Sequence, residues 1–509
     1  MKVQIKNFRS IIDSGSIEIN DLNILLGKNS SGKSSFLRLF PMFKESCKNE
    51  LKGPFLWFDE NYDFGSFSNA LSRHAKEDKD CITFSFNWQE TSRSRKSEIL
   101  YFSMIVGQYI NNVDLEMSIA KRGDYAFLNR LIIHIVSKTE KESTITISDE
   151  GGDSGLRVCI NDRPLSISET LSWQYATKSF LPTLSINNGE TNVYALVSKV
   201  LDKHAKNFEN RDFRHYSYYV DGLSFDKDGL LKDLDVAKDP SVMDYLLRVD
   251  PQDLFDAMYL KNVSSLLEYV SDYLTRYFTH CYYITPLRYN FLRYMRNRDL
   301  SVDYVESTGK NVMEYILSLN ATEKREYKQF ILETLGVEVD VMGEDNKSIV
   351  ITNSDNEEDN IVDVGYGFSQ VLPIATTLWD RAYKRDKRYG DEVGSTIVIE
   401  QPEVHLHPFM QGELAKLFVN ALKLANTKKN KLSIIVETHS SVLVNRIGKY
   451  IYNKKLISEG INDYANEPTI NNDRVSLYLF EKNQGCTTVV KTSYSEEGRV
   501  MKWPAGFLD

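Results

Sequence analysis

The sequence predicts an α/β protein that carries an antiparallel β-lobe and a helical insertion. A strand, a glycine-bounded loop and a helix follow one another near the start, residues 80–165 alternate like strands between turns, and the last third alternates helical and strand patterns. We expect three segments, 1–165, 166–320 and 321–509. With 509 residues and 42% hydrophobic content, the chain has ample material for a large core.

The glycine loop has the pattern of a phosphate-binding site. Gly27 and the run Gly32-Lys33-Ser34 match G-x-x-x-x-G-K-[ST], with the apolar run Ile24–Leu26 before it and a helical pattern after it. Glycine lets backbone N–H groups approach an anion closely. We expect Lys33 to reach the β- and γ-phosphates of a nucleotide and Ser34 to bind Mg²⁺. The predicted nucleotide-binding residues of the loop are Gly27, Asn29, Ser30, Ser31, Gly32, Lys33, Ser34 and Ser35.

A second apolar run, Thr396–Ile399, ends in acidic residues. Glu400 closes the run, and Gln401, Pro402 and Glu403 follow it. P-loop ATPases hold Mg²⁺ with a carboxylate at the end of a buried strand, the Walker B position. The pattern therefore predicts that Glu400 binds the metal, although a core strand with an exposed acidic turn would have the same sequence.

Two further stretches fit a nucleotide site less specifically. Gly365 and Gly367 precede a helical pattern that begins near Ser369, and such a helix N-terminus can accept a phosphate from a second subunit. A plain glycine turn before a helix is the alternative. The apolar run 434–437 leads to His439, which is either a γ-phosphate sensor or a structural strand-end histidine.

Composition excludes several classes of protein. The net charge of −9 and the pI near 5.6 argue against a surface that binds nucleic acid all over, but not against a local basic patch. The five cysteines contain no C-x-x-C pair, which disfavours a disulfide framework and a zinc site. The sequence has no apolar run of transmembrane length, so we expect a cytoplasmic protein without a membrane partner.

Basic side chains form two clusters. Nucleic-acid contact is one interpretation of both, and helix-end charge or solvation is the other. The first cluster can also line the nucleotide site or a subunit interface. The first comprises Arg288, Arg293, Arg296 and Arg298 with Tyr289, Phe291 and Tyr294 between them; the second comprises Arg381, Lys384, Arg385, Lys387 and Arg388.

The order of these motifs resembles the ABC-type ATPases of the RecF/SMC/Rad50 class, as does the start Lys6–Ser10. Within that class, four stretches resemble the OLD-family branch: Ile284–Arg288, Asp363–Pro373, Ile399–Pro408 and Trp503–Phe507. The branch includes ATPase subunits of bacterial anti-phage systems such as Septu (PtuA), PARIS (AriA) and retron-associated modules.

The resemblance implies an ABC-type P-loop ATPase fold with ATP and Mg²⁺ as cofactors. It also implies a homodimer, or a higher oligomer, in which two subunits enclose ATP between them. The roles it implies are nucleotide binding for Arg9 and the loop, Mg²⁺ assistance for Glu400, a signature that closes on the partner's ATP for Gly365, Gly367 and Ser369, a dimer-facing loop for His405 and His407, and a switch for His439.

One departure from the ABC pattern concerns catalysis. ABC ATPases carry a glutamate directly after the Walker B acid, and this chain has Gln401 there. A neutral amide orients water but does not accept its proton. We therefore expect slow hydrolysis by a nucleotide-gated regulator, with Glu403 as a substitute base.

The sequence after His439 bears on what the ATPase regulates. OLD proteins proper carry a Toprim nuclease there, whereas this stretch reads as a helix and a β-hairpin, and the eight histidines show no H-N-H spacing. We expect the nuclease, of H-N-H or Toprim type, to be a separate subunit. Two alternatives stay open: a RecF-like repair ATPase that binds DNA directly, and an ATP-ordered scaffold without significant turnover.

Overall fold

The chain divides into two compact units in the computed structural model. The antiparallel unit comprises Met1–Phe8, Met42–Asp59 and Phe64–Thr279, and the parallel unit comprises Arg9–Pro41, Glu60–Asp63 and His280–Asp509. The residues that the structure describes are 1–75, 80–90, 110–151, 155–175, 178–186, 192–205, 223–233, 240–296, 298, 300–353, 355–384, 393–461, 464 and 467–504.

Strands and helices are numbered along the described residues. The strands are β1 (Lys2–Phe8), β2 (Ile11–Asp13), β3 (Ile17–Glu18), β4 (Leu22–Gly27), β5 (Phe58–Asp59), β6 (Tyr62–Asp63), β7 (Ile82–Gln89), β8 (Ile110–Arg122), β9 (Tyr125–Ser137), β10 (Glu142–Asp149), β11 (Leu156–Ile160), β12 (Arg163–Pro164), β13 (Leu171–Gln174), β14 (Thr183–Ile186), β15 (Cys281–Ile284), β16 (Met295–Arg296), β17 (Glu338–Met342), β18 (Asn346–Thr352), β19 (Glu358–Asn360), β20 (Ser395–Glu400), β21 (Leu432–Glu437), β22 (Val475–Asn483) and β23 (Cys486–Thr492). The helices are α1 (Lys33–Leu37), α2 (Leu39–Lys48), α3 (Phe67–Ala70), α4 (Val193–Ala205), α5 (Lys227–Asp233), α6 (Pro240–Val249), α7 (Gln252–Thr279), α8 (Val312–Ser318), α9 (Ala321–Leu335), α10 (Tyr366–Tyr383), α11 (Pro408–Lys428) and α12 (Ser441–Ser458).

An antiparallel sheet forms most of the antiparallel unit, in the order β12-β11-β10-β9-β8-β7-β1. Burial alternates along β9, where Leu131, Ile133 and Ile135 are buried and their neighbours are less so. This alternation is the mark of a sheet with one face on a core. The strands β13 and β14 form a separate hairpin, and the 28-residue helix α7 is the longest in the described part of the unit.

Phenylalanine side chains fill the core of the antiparallel unit. The ring of Phe43 lies 4.7 Å from that of Phe278 and 5.3 Å from that of Phe84, measured between centroids. The rings of Phe180 and Phe278 stack at 5.1 Å. Such aromatic pairs add about 0.5–1.5 kcal/mol each beyond their buried area, so contacts between rings contribute to the stability of this core.

A parallel sheet organises the parallel unit. The strands β15, β20, β21, β4 and β22 lie side by side and run parallel, and β23 continues the sheet antiparallel to β22. Every residue of β4 is buried, as expected of a central strand covered on both faces. Because β4, β20 and β21 run the same way, their carboxyl ends meet at one edge of the sheet.

Helices pack against this sheet to build a single hydrophobic cluster. Residues of β4, β20, β21, α10, α11 and α12 all belong to it. Asn320 caps α9, since its side-chain oxygen accepts from the N–H groups of Thr322 and Glu323, and the Glu323 carboxylate accepts from the N–H of Asn320. A smaller sheet, β16-β18-β17 with β19 beside β18, lies in the same unit.

Most predicted elements of the ATPase core are confirmed, but the helix predicted over 33–47 is wrong in its continuity. It breaks at Arg38 into α1 and α2. Pro41 has no N–H to donate to the carbonyl of Leu37, so the hydrogen-bond ladder is interrupted there. The break leaves Arg38 outside the regular helix.

Other differences concern the periphery. The helical pattern expected over 166–280 missed the hairpin of β13 and β14, and the acidic run 355–359, expected as a loop, contributes Glu358 and Asp359 to β19. The strand β8 was not predicted. A strand predicted at 99–105 lies outside the described residues.

Candidate functional site

The phosphate loop follows β4 and depends on its two glycines. Gly27 has φ +154°, and a Cβ there would lie 2.3 Å from the carbonyl oxygen of Phe480 and 2.8 Å from the Ser31 Oγ. Gly32 has φ +97° and caps α1. No other residue type fits both positions without moving the loop. Asn29 and Ser30 are exposed at its tip, with Ser35 in the first turn of α1.

The side chain of Lys33 lies under this loop and is 2% exposed. Its Nζ donates to the carbonyl oxygens of Gly27 and Lys28, both at 2.9 Å. Burial lowers the pKa of Lys33, and the nearby carboxylates, Glu437 first, partly oppose the shift. The ammonium is therefore held at the loop by backbone acceptors, where it can meet a phosphate.

Glu437, at the end of β21, is a site residue that the sequence reasoning missed. The Oγ of Ser34 donates to its Oε1 at 2.9 Å, and the Lys33 Nζ lies 3.7 Å from the same oxygen. Burial raises the pKa of Glu437 to about 7, with Lys33 acting in the opposite direction. The signal was present, because the apolar run Leu432–Val436 ends in a carboxylate as the run before Glu400 does.

Glu400 is placed at the end of β20, as predicted, next to Glu437 in the parallel register. Both its oxygens have protein partners. The Nε and Nη2 of Arg38 donate to Oε2 and Oε1 at 2.9 and 2.7 Å, and the Tyr283 hydroxyl donates to Oε2 at 2.5 Å. Burial, followed by the charge of Glu400, raises the pKa of Tyr283.

The turn after β20 is held in an unusual conformation. Gln401 has φ +44°, in the left-handed region. The Nη2 of Arg288 donates to the carbonyl oxygens of Glu400 and Gln401 at 3.3 and 3.4 Å. Arg288 is 6% exposed, and burial lowers its pKa to about 10. The contact fixes the backbone on which the Gln401 amide stands.

The turn after β20 also places Glu403 in contact with His439, which lies just after β21. The backbone N–H of His439 donates to Oε1 of Glu403 at 2.6 Å. Burial raises the pKa of Glu403, whereas burial and the charge of Lys33 lower the pKa of His439 to about 4. His439 is therefore neutral at pH 7. His407 caps α11 by accepting from the N–H of Phe409 at 3.3 Å.

Arg9 lies outside these direct contacts. It has φ +51°, and its Nη2 donates to the carbonyl oxygen of Asp63 at 3.0 Å. Burial and the neighbouring charge of Arg38 lower its pKa. The positive charge of Arg38 thus lies close enough to Arg9 to act on its guanidinium.

The predicted signature residues Gly365, Gly367 and Ser369 lie at the start of α10 and take no part in the phosphate-loop contacts described above. Gly365 has φ +102°, and a Cβ there would meet nothing within 4 Å, whereas a Cβ on Gly367 would lie 3.6 Å from the Leu406 side chain. Ser369 is 6% exposed. Arg293 binds Asp363 through two hydrogen bonds of 2.7 and 2.5 Å. At the start of α10, Gly365 is therefore exposed, whereas Ser369 is buried.

The two basic clusters are only partly surface features. Arg288 is buried at the β20 turn, and Arg381, whose side chain is 11% exposed, binds Asp380 and the Tyr282 hydroxyl. Arg293 and Arg298 are half-exposed or more, paired with Asp363 and Glu314. Arg385, Lys387 and Arg388 lie outside the described residues.

These observations define the class of protein. A phosphate loop after the second of five parallel strands, counted from β22, and acidic residues at the ends of β20 and β21 are the core of an ABC-type P-loop ATPase. A nucleoside triphosphate with Mg²⁺ suits this set of groups, which comprises the loop backbone, Lys33, Ser34 and the carboxylates.

The comparison with protein families gives the particular family. The model described as the AAA ATPase domain matches residues 1–219 and 260–444, more than half of the chain, so the chain belongs to that family. The protein is an ATPase that uses nucleotide. No curated protein matches the chain.

Several solved structures are similar to the chain. They include the SMC head bound to the C-winged helix domain of ScpA (TM-score 0.37, 10% identity, 97% of each chain) and the SMC head domain from Thermotoga maritima (0.31, 9%, 96% of this chain and 97% of that one). A third is the SMC head domain with an extended coiled coil bound to the C-terminal domain of ScpA, derived from Pyrococcus furiosus (0.35, 12%, 97% and 96%). At these TM-scores, the fold assignment stands on the chain's own strand order and site.

The helices of the described residues were also compared with the length and apolarity that a membrane span needs. None of them meets both requirements.

Proposed function

We propose that this chain is a slowly hydrolysing ATPase subunit that acts as a nucleotide-gated regulator of a separate nuclease in an anti-phage complex. The OLD-like stretches around Gly365, Glu400 and Arg288 support the branch, and PtuA-like or AriA-like subunits are its proposed relatives. The nuclease, of H-N-H or Toprim type, is proposed to be a different chain.

The observation that carries the slow-turnover proposal is the β20 turn. The position after Glu400 holds the neutral amide of Gln401, on a backbone that Arg288 fixes. Glu403, the next carboxylate after Gln401, accepts the N–H of His439 on Oε1, and its Oε2 has no hydrogen-bond partner among the described residues. A base displaced from the usual position gives up part of the roughly 10²–10⁴-fold that general-base catalysis contributes, so ATP stays bound long enough to act as a signal.

The homodimer proposal draws on the open start of α10. The exposed Gly365 leaves room for another molecule to approach the helix N-terminus, which favours an anion. Two subunits would then enclose two ATP molecules, each phosphate loop facing the partner's signature. Sedimentation velocity with a non-hydrolysable ATP analogue tests this, with Lys33→Ala as the variant that should stay monomeric.

Single-turnover hydrolysis tests the rate proposal. Wild type is expected to be slow, Gln401→Glu about tenfold faster or more, and Glu403→Gln slower than wild type, because each change adds or removes a carboxylate near the attacking water. Wild-type turnover as fast as that of Gln401→Glu would refute the regulator model and favour a motor.

Co-purification with the product of the adjacent reading frame, with and without ATP, tests the partner. A small H-N-H protein would indicate a Septu-like pair, a Toprim protein a PARIS-like pair, and a reverse transcriptase a retron. Salt-sensitive DNA binding by the isolated chain would instead favour the RecF-like alternative. The absence of measurable turnover, even with Gln401→Glu, would favour the ATP-ordered scaffold.

A further inference from the structure

The strands β20 and β21 end at the sheet edge where the phosphate loop begins, and each carries a buried carboxylate suited to a metal ion. Glu400 ends β20 and Glu437 ends β21, and the two residues are paired in the parallel register. The Walker B pattern favours Glu400. The hydrogen-bond partners of the two side chains favour Glu437 as the metal-binding acid.

Glu400 is already fully engaged. Arg38 donates two N–H groups to its two oxygens, and Tyr283 donates its hydroxyl to one of them. Bidentate, charge-assisted bonds of this kind are among the strongest in proteins. For Glu400, whose side chain is 4% exposed, to turn to a metal, it would have to give up both the Arg38 guanidinium and the buried Tyr283 phenol.

Glu437 is engaged on one side only. Its Oε1 accepts from the Ser34 Oγ and lies 3.7 Å from the Lys33 Nζ. Its Oε2 is buried and has no hydrogen-bond partner among the described residues. A buried carboxylate oxygen without a partner is unfavourable unless a ligand completes it. Since β21 lies between β4 and β20, Glu437 is also the acid on the strand next to the phosphate loop.

We propose that Glu437 is the carboxylate that serves Mg²⁺ at this site, by orienting the Ser34 hydroxyl and presenting its second oxygen, and that Glu400 is the structural partner of Arg38. The proposal rests on the proposed ATP site and moves its metal-binding acid from β20 to β21. Glu403 also has a buried Oε2 without a hydrogen-bond partner among the described residues, but its Oε1 accepts from the His439 N–H. Contact with Ser34 and proximity to Lys33 therefore distinguish Glu437 from it.

The test uses the full chain and Mn²⁺ as a spectroscopic substitute for Mg²⁺. Electron paramagnetic resonance measures free Mn²⁺ during a titration with a saturating non-hydrolysable ATP analogue. Glu437→Gln is expected to weaken Mn²⁺ binding by about tenfold or more, as loss of a supporting ligand does at other metal sites. Glu400→Gln, which tests the competing assignment, is expected to lose less Mn²⁺ affinity than Glu437→Gln does.

A second measurement separates the metal from the nucleotide. Binding of a fluorescent ATP analogue in EDTA should be nearly unchanged in Glu437→Gln, because the loop and Lys33 are intact. If that variant does not fold, Glu437→Asp replaces it, with the same direction of effect. Wild-type Mn²⁺ affinity in the Glu437 variants, or a larger loss in Glu400→Gln, overturns the proposal. A wild type that binds the analogue in neither condition overturns the proposed function itself, and the metal assignment with it.

Discussion

The two units use β-structure in opposite ways. In the antiparallel unit, buried and less buried residues alternate along strands such as β9, and phenylalanine rings pack against one another in the core. In the parallel unit, β4 and β21 are buried almost throughout, and polar side chains appear where the strands end. The comparison shows that parallel strands bring functional side chains together at one edge of the sheet, because all their carboxyl ends lie there.

The largest effect is expected where a buried charge loses its partner. Arg38→Met leaves the Glu400 carboxylate, 4% exposed, without its cation and should lower the stability of the parallel unit by about 3 kcal/mol. Arg122→Met in the antiparallel unit breaks a pair whose arginine is 55% exposed and should change stability by less than about 1 kcal/mol. Differential scanning calorimetry of both variants checks this, and equal shifts would contradict the contrast.

The next effect concerns glycine at positive φ. Gly27→Ala places a Cβ 2.3 Å from the Phe480 carbonyl oxygen and should weaken nucleotide binding about 100-fold, since the loop must distort. The control is Gly123→Ala, which has φ +61° but nothing within 4 Å of its Cβ. Fluorescent ATP-analogue titrations should show the control close to wild type. Unaltered binding by Gly27→Ala would mean that the loop tolerates the shift.

A buried lysine in α7 offers a pH-dependent test of the antiparallel unit. Burial lowers the pKa of Lys261 to about 8 from the ordinary lysine value of 10.5, so Lys261→Met should stabilise the protein by about 2 kcal/mol at pH 7. Below pH 8, both the folded and the unfolded wild type carry the proton, and the destabilisation is constant. Between pH 8 and 10.5 the unfolded chain binds more protons, so wild-type stability rises and the advantage of methionine shrinks.

Melting temperatures at pH 7 and pH 10 measure this change. Lys199→Met is the control in the same unit, because its side chain is 78% exposed. A pH-independent gain in Lys261→Met would show that packing, rather than charge, is responsible.

The smallest effect is expected at the surface of the parallel unit. Arg293 and Asp363 form a pair in which both side chains are about half exposed, so Arg293→Ala should cost less than about 1 kcal/mol. Its unfolding temperature should match that of wild type at high salt, where the pair is screened. A loss of several degrees would show that the loop before α10 depends on this contact.

Much of the parallel unit could be predicted from local patterns. The alternation of apolar runs with helical patterns located β20, β21, α11 and β22, and the glycine–lysine–serine pattern located the phosphate loop. The helix break at Arg38 was missed because helical periodicity continues through Pro41, and the hairpin of β13 and β14 was missed because its strands are short. The sequence predicts Glu400 as the metal-binding acid because an apolar run ends there, whereas the Ser34–Glu437 contact behind the proposed alternative depends on strand order.

The sequence by itself therefore determined the class of site: glycines where the backbone must approach a phosphate, a lysine and a serine after them, and acids at the ends of apolar runs. Those features are local, and local chemistry is readable from residue order. Only the tertiary structure decided which acid faces the loop. The strand β21 inserts between β4 and β20, Arg38 and Tyr283 converge on Glu400, and Ser34 meets Glu437 across more than 400 residues of chain. Contacts of that kind arise from sheet order and packing, which no single stretch of sequence contains.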